Sequence, residues 1–295
     1  MIVKIASVSK SGTMRGVGVG VLKVRPFKYN PSEGTIEVLN DLKVRVNYVN
    51  ADPRAEDIKA QSYSPYFESS YKQLINYKPA SLKADLLNYN ITYLIVAAQA
   101  LNGNSDLEDL IAWKTAKGFN VIVNYVPTTA SITTNDTWVE QQWNTLSPKP
   151  SFVLIVGDAD GTYAVQAELD PPLGSGGGVC GSDLIYGVIG ATGTSNRIPS
   201  MYVGRMSVRT IADLTAQVNK VLWYERDQFI NNYNLNYLTY CLGVAGYDSS
   251  YGANYGNPQI EYGWTYYFTS ANGMPNNQIY LCPDTSNSAV DQYIV

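Results

Sequence analysis

The sequence predicts an α/β fold with a mainly parallel sheet flanked by helices, preceded by a small antiparallel β unit. Three features predict it. Residues 91–98 (ITYLIVAA) and 152–156 (FVLIV) are continuous apolar runs, the pattern of parallel strands covered on both faces. Helical stretches alternate with these strands from residue 91 onward. Residues 1–50 differ: there apolar and polar side chains alternate between clusters of turn formers, as in half-buried antiparallel strands.

The β-rich start contains Val17, Val19, Val21 and Val24, and Arg25-Pro26 interrupts the run. Turn formers crowd residues 29–34, and 35–39 and 42–48 read as further strands. In the second of these Val44, Val46 and Tyr48 alternate with Lys43, Arg45 and Asn47. Residues 51–88 lose any period and read as an extended or partly helical linker. It carries Arg54, Lys59, Lys72, Lys78 and Lys83, each a point of protease attack where exposed.

After the first apolar strand, Ser105-Asp106-Leu107-Glu108 has the form of a capping box. The helix it opens carries Leu107, Leu110 and Ile111 on one face and ends near Gly118. A strand over 120–126, a helix over 137–146 and the strand over 152–156 follow. A glycine-punctuated loop spans 171–181, then come a short strand at 201–203 and a helix from Thr210 with Leu214, Val218, Val221 and Leu222 along its face. The remainder reads as a strand at 238–245, a helix at 259–269, a strand at 278–281 and the start of a helix at 287–294.

Composition narrows the function. With 45% hydrophobic and 16% charged residues the chain is of the folding kind. No apolar run approaches the ~18–20 residues of a membrane span. A net charge of −4 without a basic cluster argues against nucleic acid as a partner. Histidine is absent, so these 295 residues hold no histidine base, no histidine metal ligand and no Cys–His dyad. Cys180, Cys241 and Cys282 are too widely spaced for a zinc ribbon or CxxC motif, and an odd number leaves at least one unpaired. Cys282, without a base to lower its pKa, reads as a buried structural thiol. The first ten residues lack the features of a signal peptide, and the chain is expected to begin downstream of its true start.

Candidate site residues cluster where strands are expected to end. Asp158 follows Val156-Gly157 directly, with Asp160 two residues on. In open α/β sheets ligands gather at the carboxyl ends of strands, so Asp158 and Asp183 are candidate oxygen ligands for a hard cation such as Ca²⁺. The plain alternative is that both serve turns. Arg205, in Val203-Gly204-Arg205, is expected to pair with Asp183 or Asp158. The Tyr-, Ser- and Asn-rich loop at 246–256 is a candidate binding wall. The glycine loop lacks the GxxxxGK[ST] pattern of a phosphate site.

These pieces, in this order, resemble the gingipain family of cysteine peptidases. The resemblance rests on Tyr93-Leu94-Ile95-Val96, on 109–119 (DLIAWKTAKGF), on 152–158 (FVLIVGD), on 182–187 (SDLIYG), on Val203-Gly204-Arg205 and on 220–226 (KVLWYER). Met14-Arg15-Gly16-Val17 and 26–31 (PFKYNP) resemble the end of the family's propeptide. The resemblance implies a caspase-like catalytic unit: 1–50 a β-rich propeptide-like unit, 51–88 a linker, 89–235 the first α/β subdomain, and 236–295 the start of a second. The implied activity is that of a secreted or cell-surface cysteine endopeptidase acting on protein or peptide substrates. Its dyad, a His in a Gly-His-Gly stretch and then a Cys, would lie downstream, so the remainder of the polypeptide is the implied partner. The alternative is a non-catalytic surface or structural relative that keeps the scaffold. The family commonly binds Ca²⁺, the implied structural cofactor. In its arginine-specific members an Asp lies at the start of a helix, at the base of the specificity pocket. The matching residue here is Gln259, or Glu261 if the alignment slips by two, and a neutral Gln259 supplies no counter-charge for a guanidinium.

Overall fold

The computed structural model describes residues 5–49, 52–78, 90–170, 180–190, 198–227, 236–246, 250 and 252–281. Lys83, Cys282, most of the glycine loop and the helix expected at 287–294 lie outside the described residues. The chain divides into two compact units, Met1–Leu222 and Trp223–Val295.

In the first unit, β1 (Ala6–Met14) and β2 (Val17–Val24) form an antiparallel hairpin, and β3 (Phe27–Asn30) and β4 (Thr35–Val38) form another. Phe27 pairs with Val38 and Tyr29 with Ile36, so these four side chains share one face, and all four are exposed. The strand expected at 42–48 is not formed: among the described residues the segment pairs with no other strand. Its alternation suits a strand, but among the described residues no neighbouring strand completes the hydrogen-bond ladder. Residues 52–78 are largely helical, with α1 (Ala55–Ser62) and α2 (Glu68–Tyr71). Phe67 and Tyr71 are buried, and Phe67 stacks on Tyr202 at 4.4 Å.

The core of the unit is a four-stranded parallel sheet. Its strands are β5 (Thr92–Ala98), β6 (Asn120–Val126), β7 (Phe152–Val156) and, after the short antiparallel pair β8 (Glu168–Asp170) and β9 (Cys180–Ser182), β10 (Tyr202–Met206). The spatial order is β10-β7-β5-β6. Central β5 is buried from Leu94 to Ala98, which explains its unbroken apolar sequence. Helices α3 (Ser105–Ala116), α4 (Ile132–Thr145) and α5 (Ile211–Leu222) cover the sheet with Leu107, Leu110, Val139, Trp143, Leu214, Val218 and Leu222.

The cap of α3 differs from the sequence reading. Asn104, not Ser105, is the N-cap, its Oδ1 accepting from the N–H groups of Asp106 and Leu107 at 3.0 and 3.2 Å. Asparagine and serine are equally good caps, so the boundary shifts by one residue at no cost. Gly118 ends the helix as expected, at φ +93°. α4 begins at Ile132, five residues before the expected start, capped by the Ser131 hydroxyl. A reciprocal cap opens α5: the Thr210 hydroxyl accepts from the Asp213 N–H at 3.3 Å, and the Asp213 carboxylate accepts from the Thr210 N–H at 2.8 Å.

In the second unit, β11 (Tyr240–Val244) and β12 (Asn276–Tyr280) pair in parallel, joined through α6 (Ala253–Tyr266). Gly243 lets α6 approach β11, because a Cβ there would meet the Trp264 ring within 2.8 Å. The Trp264 indole N–H then donates to Asn277 Oδ1 at 3.1 Å, tying α6 to β12. Among the described residues no helix is long and apolar enough to cross a membrane.

Candidate functional site

The carboxyl ends of β7 and β10 bring together Asp158, Asp183, Arg205 and Arg209. Gly157, at φ +151°, turns the chain back on itself, and a Cβ there would collide with the Tyr163 carbonyl oxygen. The turn is closed by Asp158 N–H to Tyr163 O at 3.0 Å and Val165 N–H to Asp158 O at 2.7 Å. It leaves the Asp158 side chain at the strand end. Its Oδ1 accepts from the Ser207 hydroxyl and the Ala159 N–H, both at 2.9 Å, and its Oδ2 from Arg209 Nε at 2.5 Å. The Arg209 hydrogen bond, followed by that from Ala159, holds the carboxyl below its ordinary value. Arg209 itself is 77% exposed, so this is a surface pair of small energetic weight.

The deeper ion pair is Arg205 with Asp183, the first of the two partners the sequence offered. Arg205 Nε and Nη2 donate to Asp183 Oδ2 and Oδ1 at 2.7 and 2.6 Å. Arg205 Nη1 donates to the carbonyls of Gly157 and Val165, each at 2.9 Å. One guanidinium therefore ties the turn after β7 to the loop after β9. Beside it the fully buried Tyr186 donates its hydroxyl to Gln166 O at 2.7 Å.

Asp158 and Asp183 thus stand at the same end of the sheet, each with its own arginine. Carboxylates already neutralised in this way do not fit a hard cation, which needs unneutralised oxygen ligands. Among the described residues no group of three or more His, Cys, Asp or Glu side chains converges to hold a metal.

A second polar cluster lies on α4. Asn135 Oδ1 and Asp136 Oδ1 are buried with no hydrogen-bond partner among the described residues. Burial, then Glu140 and Glu168, pushes the Asp136 carboxyl up to about 7.

In the second unit Gln259 and Glu261 are both exposed on α6. The helix starts at Ala253 rather than near Gln259, so Gln259 is not at the helix start that the resemblance implied. Pro258 lies inside the helix. Residues two apart on a helix point to different faces, so Gln259 and Glu261 cannot both face one pocket. A groove lined by Tyr240, Leu242, Pro275 and Asn277 opens at the amino ends of β11 and β12. Cys241 on β11 is a free, half-buried thiol.

A parallel sheet flanked by helices, with charged loops at its carboxyl end, defines a caspase-like α/β unit of the gingipain type. The chain belongs to peptidase family C25, whose profile matches residues 87–290. Lys-gingipain W83 of Porphyromonas gingivalis is 30% identical over 285 residues, covering 94% of this chain and 16% of that protein. Gingipain R1 of the same organism is 25% identical over 228 residues, covering 76% of this chain and 21% of that protein. The chain therefore spans about a sixth to a fifth of these curated relatives. The crystal structure of the Arg-specific cysteine proteinase gingipain R superposes with a TM-score of 0.51 at 19% identity, covering 74% of this chain and 46% of that one. That likeness concerns the fold.

Two positions escaped the sequence reading. Arg209, the partner of Asp158, sits in a loop and carries no local mark of its role. Arg15 is fully buried, although arginine ordinarily faces solvent. Its one sequence signal is Arg15-Gly16 between two β runs, a two-residue hairpin turn.

Proposed function

We propose that this chain is the N-terminal portion of a secreted or cell-surface cysteine endopeptidase whose Cys–His dyad lies beyond Val295. The family match over residues 87–290 carries the reading. The absence of histidine supports placing the dyad outside these residues. The reaction is peptide-bond hydrolysis. The cysteine thiolate attacks the scissile carbonyl, the imidazolium protonates the departing amine, and water then hydrolyses the thioester.

In this reading the four-stranded sheet is scaffold, and Arg205 fixes its carboxyl-end loops. Residues 1–50 act as a pro-segment, and the basic residues of 51–88 offer the processing site. Gln259 lines the pocket for the side chain before the scissile bond. Gln259 supplies no carboxylate for a buried guanidinium, which disfavours Arg before the scissile bond.

The test is the natural polypeptide extended past Val295, assayed on peptides differing only in the residue before the scissile bond. Thiol-dependent cleavage, abolished by replacing a downstream Cys or His, is expected. A downstream sequence lacking either residue, or an extended protein inert on all peptides, would favour the non-catalytic scaffold.

A further inference from the structure

Arg15 stands at the tip of the β1–β2 hairpin with φ +47°, followed by Gly16 at φ +77°. A non-glycine residue in this region is strained and persists only where its surroundings hold it. Gly16 is required by close approach, since a Cβ there would lie 2.7 Å from Ile58 Cγ2. Most of β1 and β2 is exposed, and burial begins only toward the tip, at Gly12, Met14 and Arg15. The hairpin is therefore attached by its end and not by a face.

The Arg15 side chain is 0% exposed and enters a socket built from three separate segments. At the end of α1, Ser62 O accepts from Nε at 2.5 Å. Before β7, Pro150 O accepts from Nη1 at 2.7 Å and Lys149 O from Nη2 at 3.3 Å. Before β10, Ser200 O also accepts from Nη1 at 2.7 Å, and the Ser200 hydroxyl accepts from the Arg15 backbone N–H at 3.1 Å. The Phe67 and Trp143 rings lie 5.0 and 4.9 Å from the guanidinium carbon. Trp143 is in the last turn of α4, so the cation also meets the negative end of that helix.

We propose that this socket is an arginine-selective docking site, with Arg15 as its resident ligand, that clamps the N-terminal hairpin to the amino ends of β7 and β10. Carbonyl oxygens on several sides suit a planar fork of donors, and two aromatic rings suit its weakly hydrated faces. A lysine ammonium, compact and strongly hydrated, cannot reach these acceptors together. The clamp lies a strand's length, ~16 Å, from the carboxyl end that carries Asp158 and Asp183. The Arg15 contact therefore holds the sheet without covering that end.

The full 295-residue chain provides the test. Under brief trypsin treatment the Arg15–Gly16 bond is expected to outlast the bonds after exposed Lys28 and Lys72 at least tenfold. Cleavage after Arg15 at the rate seen after Lys28 would overturn the proposal without any variant. Arg15→Ala and Arg15→Lys are both expected to lower the melting temperature, by about 5–10 °C for alanine. N-methylguanidinium is expected to restore several degrees to Arg15→Ala, while methylammonium does not and neither stabilises the native chain. Arg15→Lys melting like the native chain, or equal effects of the two small cations on Arg15→Ala, would show that any cation suffices and refute selectivity. Should Arg15→Ala fail to fold, the trypsin result and Arg15→Lys decide.

Discussion

Arg205 and Asp183 form a bidentate pair, with Nε to Oδ2 at 2.7 Å and Nη2 to Oδ1 at 2.6 Å, and both side chains are largely buried. The same guanidinium holds the Gly157 and Val165 carbonyls. The pair joins two loops that β7 and β9 deliver to one end of the sheet. Its role here is to fix backbone, because every donor used is spent on protein acceptors.

Replacing Arg205 by Met leaves a carboxylate and two carbonyls without their donor in a poorly solvated site. A loss of roughly 3 kcal/mol in folding stability is expected. Arg205→Lys recovers less than half, because one ammonium cannot reproduce the parallel bonds. Urea unfolding measures both, and a loss under 0.5 kcal/mol for Arg205→Met would show that water replaces the guanidinium.

Asp136 makes stability fall with rising pH. Its folded carboxyl is pushed up to about 7 from an ordinary 3.8, first by burial and then by Glu140 and Glu168. Between about pH 4 and 7 the folded chain therefore holds more protons than the unfolded one, and stability decreases as pH rises through that window. Asp158 and Asp213 act oppositely: with carboxyls held below the ordinary value, their contribution is lost only as pH falls below about 4. Melting temperature scanned from pH 4 to 7.5 is expected to slope downward, and Asp136→Asn to flatten it. Parallel slopes would remove Asp136 as the cause.

The 295-residue chain on its own is expected to be proteolytically silent, since it contains no imidazole to act as base. Peptides of several side-chain classes, incubated with purified chain under reducing conditions, provide the measurement. Cleavage that disappears when Cys180, Cys241 or Cys282 is replaced would contradict the proposed function.

In the extended, active protein, Gln259→Asp is expected to raise kcat/KM tenfold or more for Arg before the scissile bond, as a charge-assisted bond of ~1.5–3 kcal/mol requires. Native cleavage after Arg that survives Gln259→Ala would transfer the role to Glu261 or to a residue outside this chain.

Much of the α/β architecture was legible because it is written locally. An apolar run such as Leu94–Ala98 has no polar face to show water, so it must lie inside a sheet covered on both sides. The face of α5 could be read from Leu214, Val218 and Leu222 for the same reason, one stripe at helical spacing. Asp158 could be placed at a strand end because it closely follows the apolar run at 152–156, whereas β9, which delivers Asp183, lies in a stretch that reads as loop. Arg205 could be named as a partner for one of the two, but Arg209 could not, since it meets Asp158 across 51 residues of chain.

The sequence by itself determined the family, the order of strands and helices, and the absence of an imidazole from these residues. Only the tertiary structure decided that residues 42–48 pair with no other strand among the described residues, because a strand needs a neighbour and alternation cannot provide one. It also decided the fate of Arg15, whose acceptors lie 47, 134, 135 and 185 residues away. A buried cation is tolerable only where such distant carbonyls converge, and convergence is a property of the folded chain.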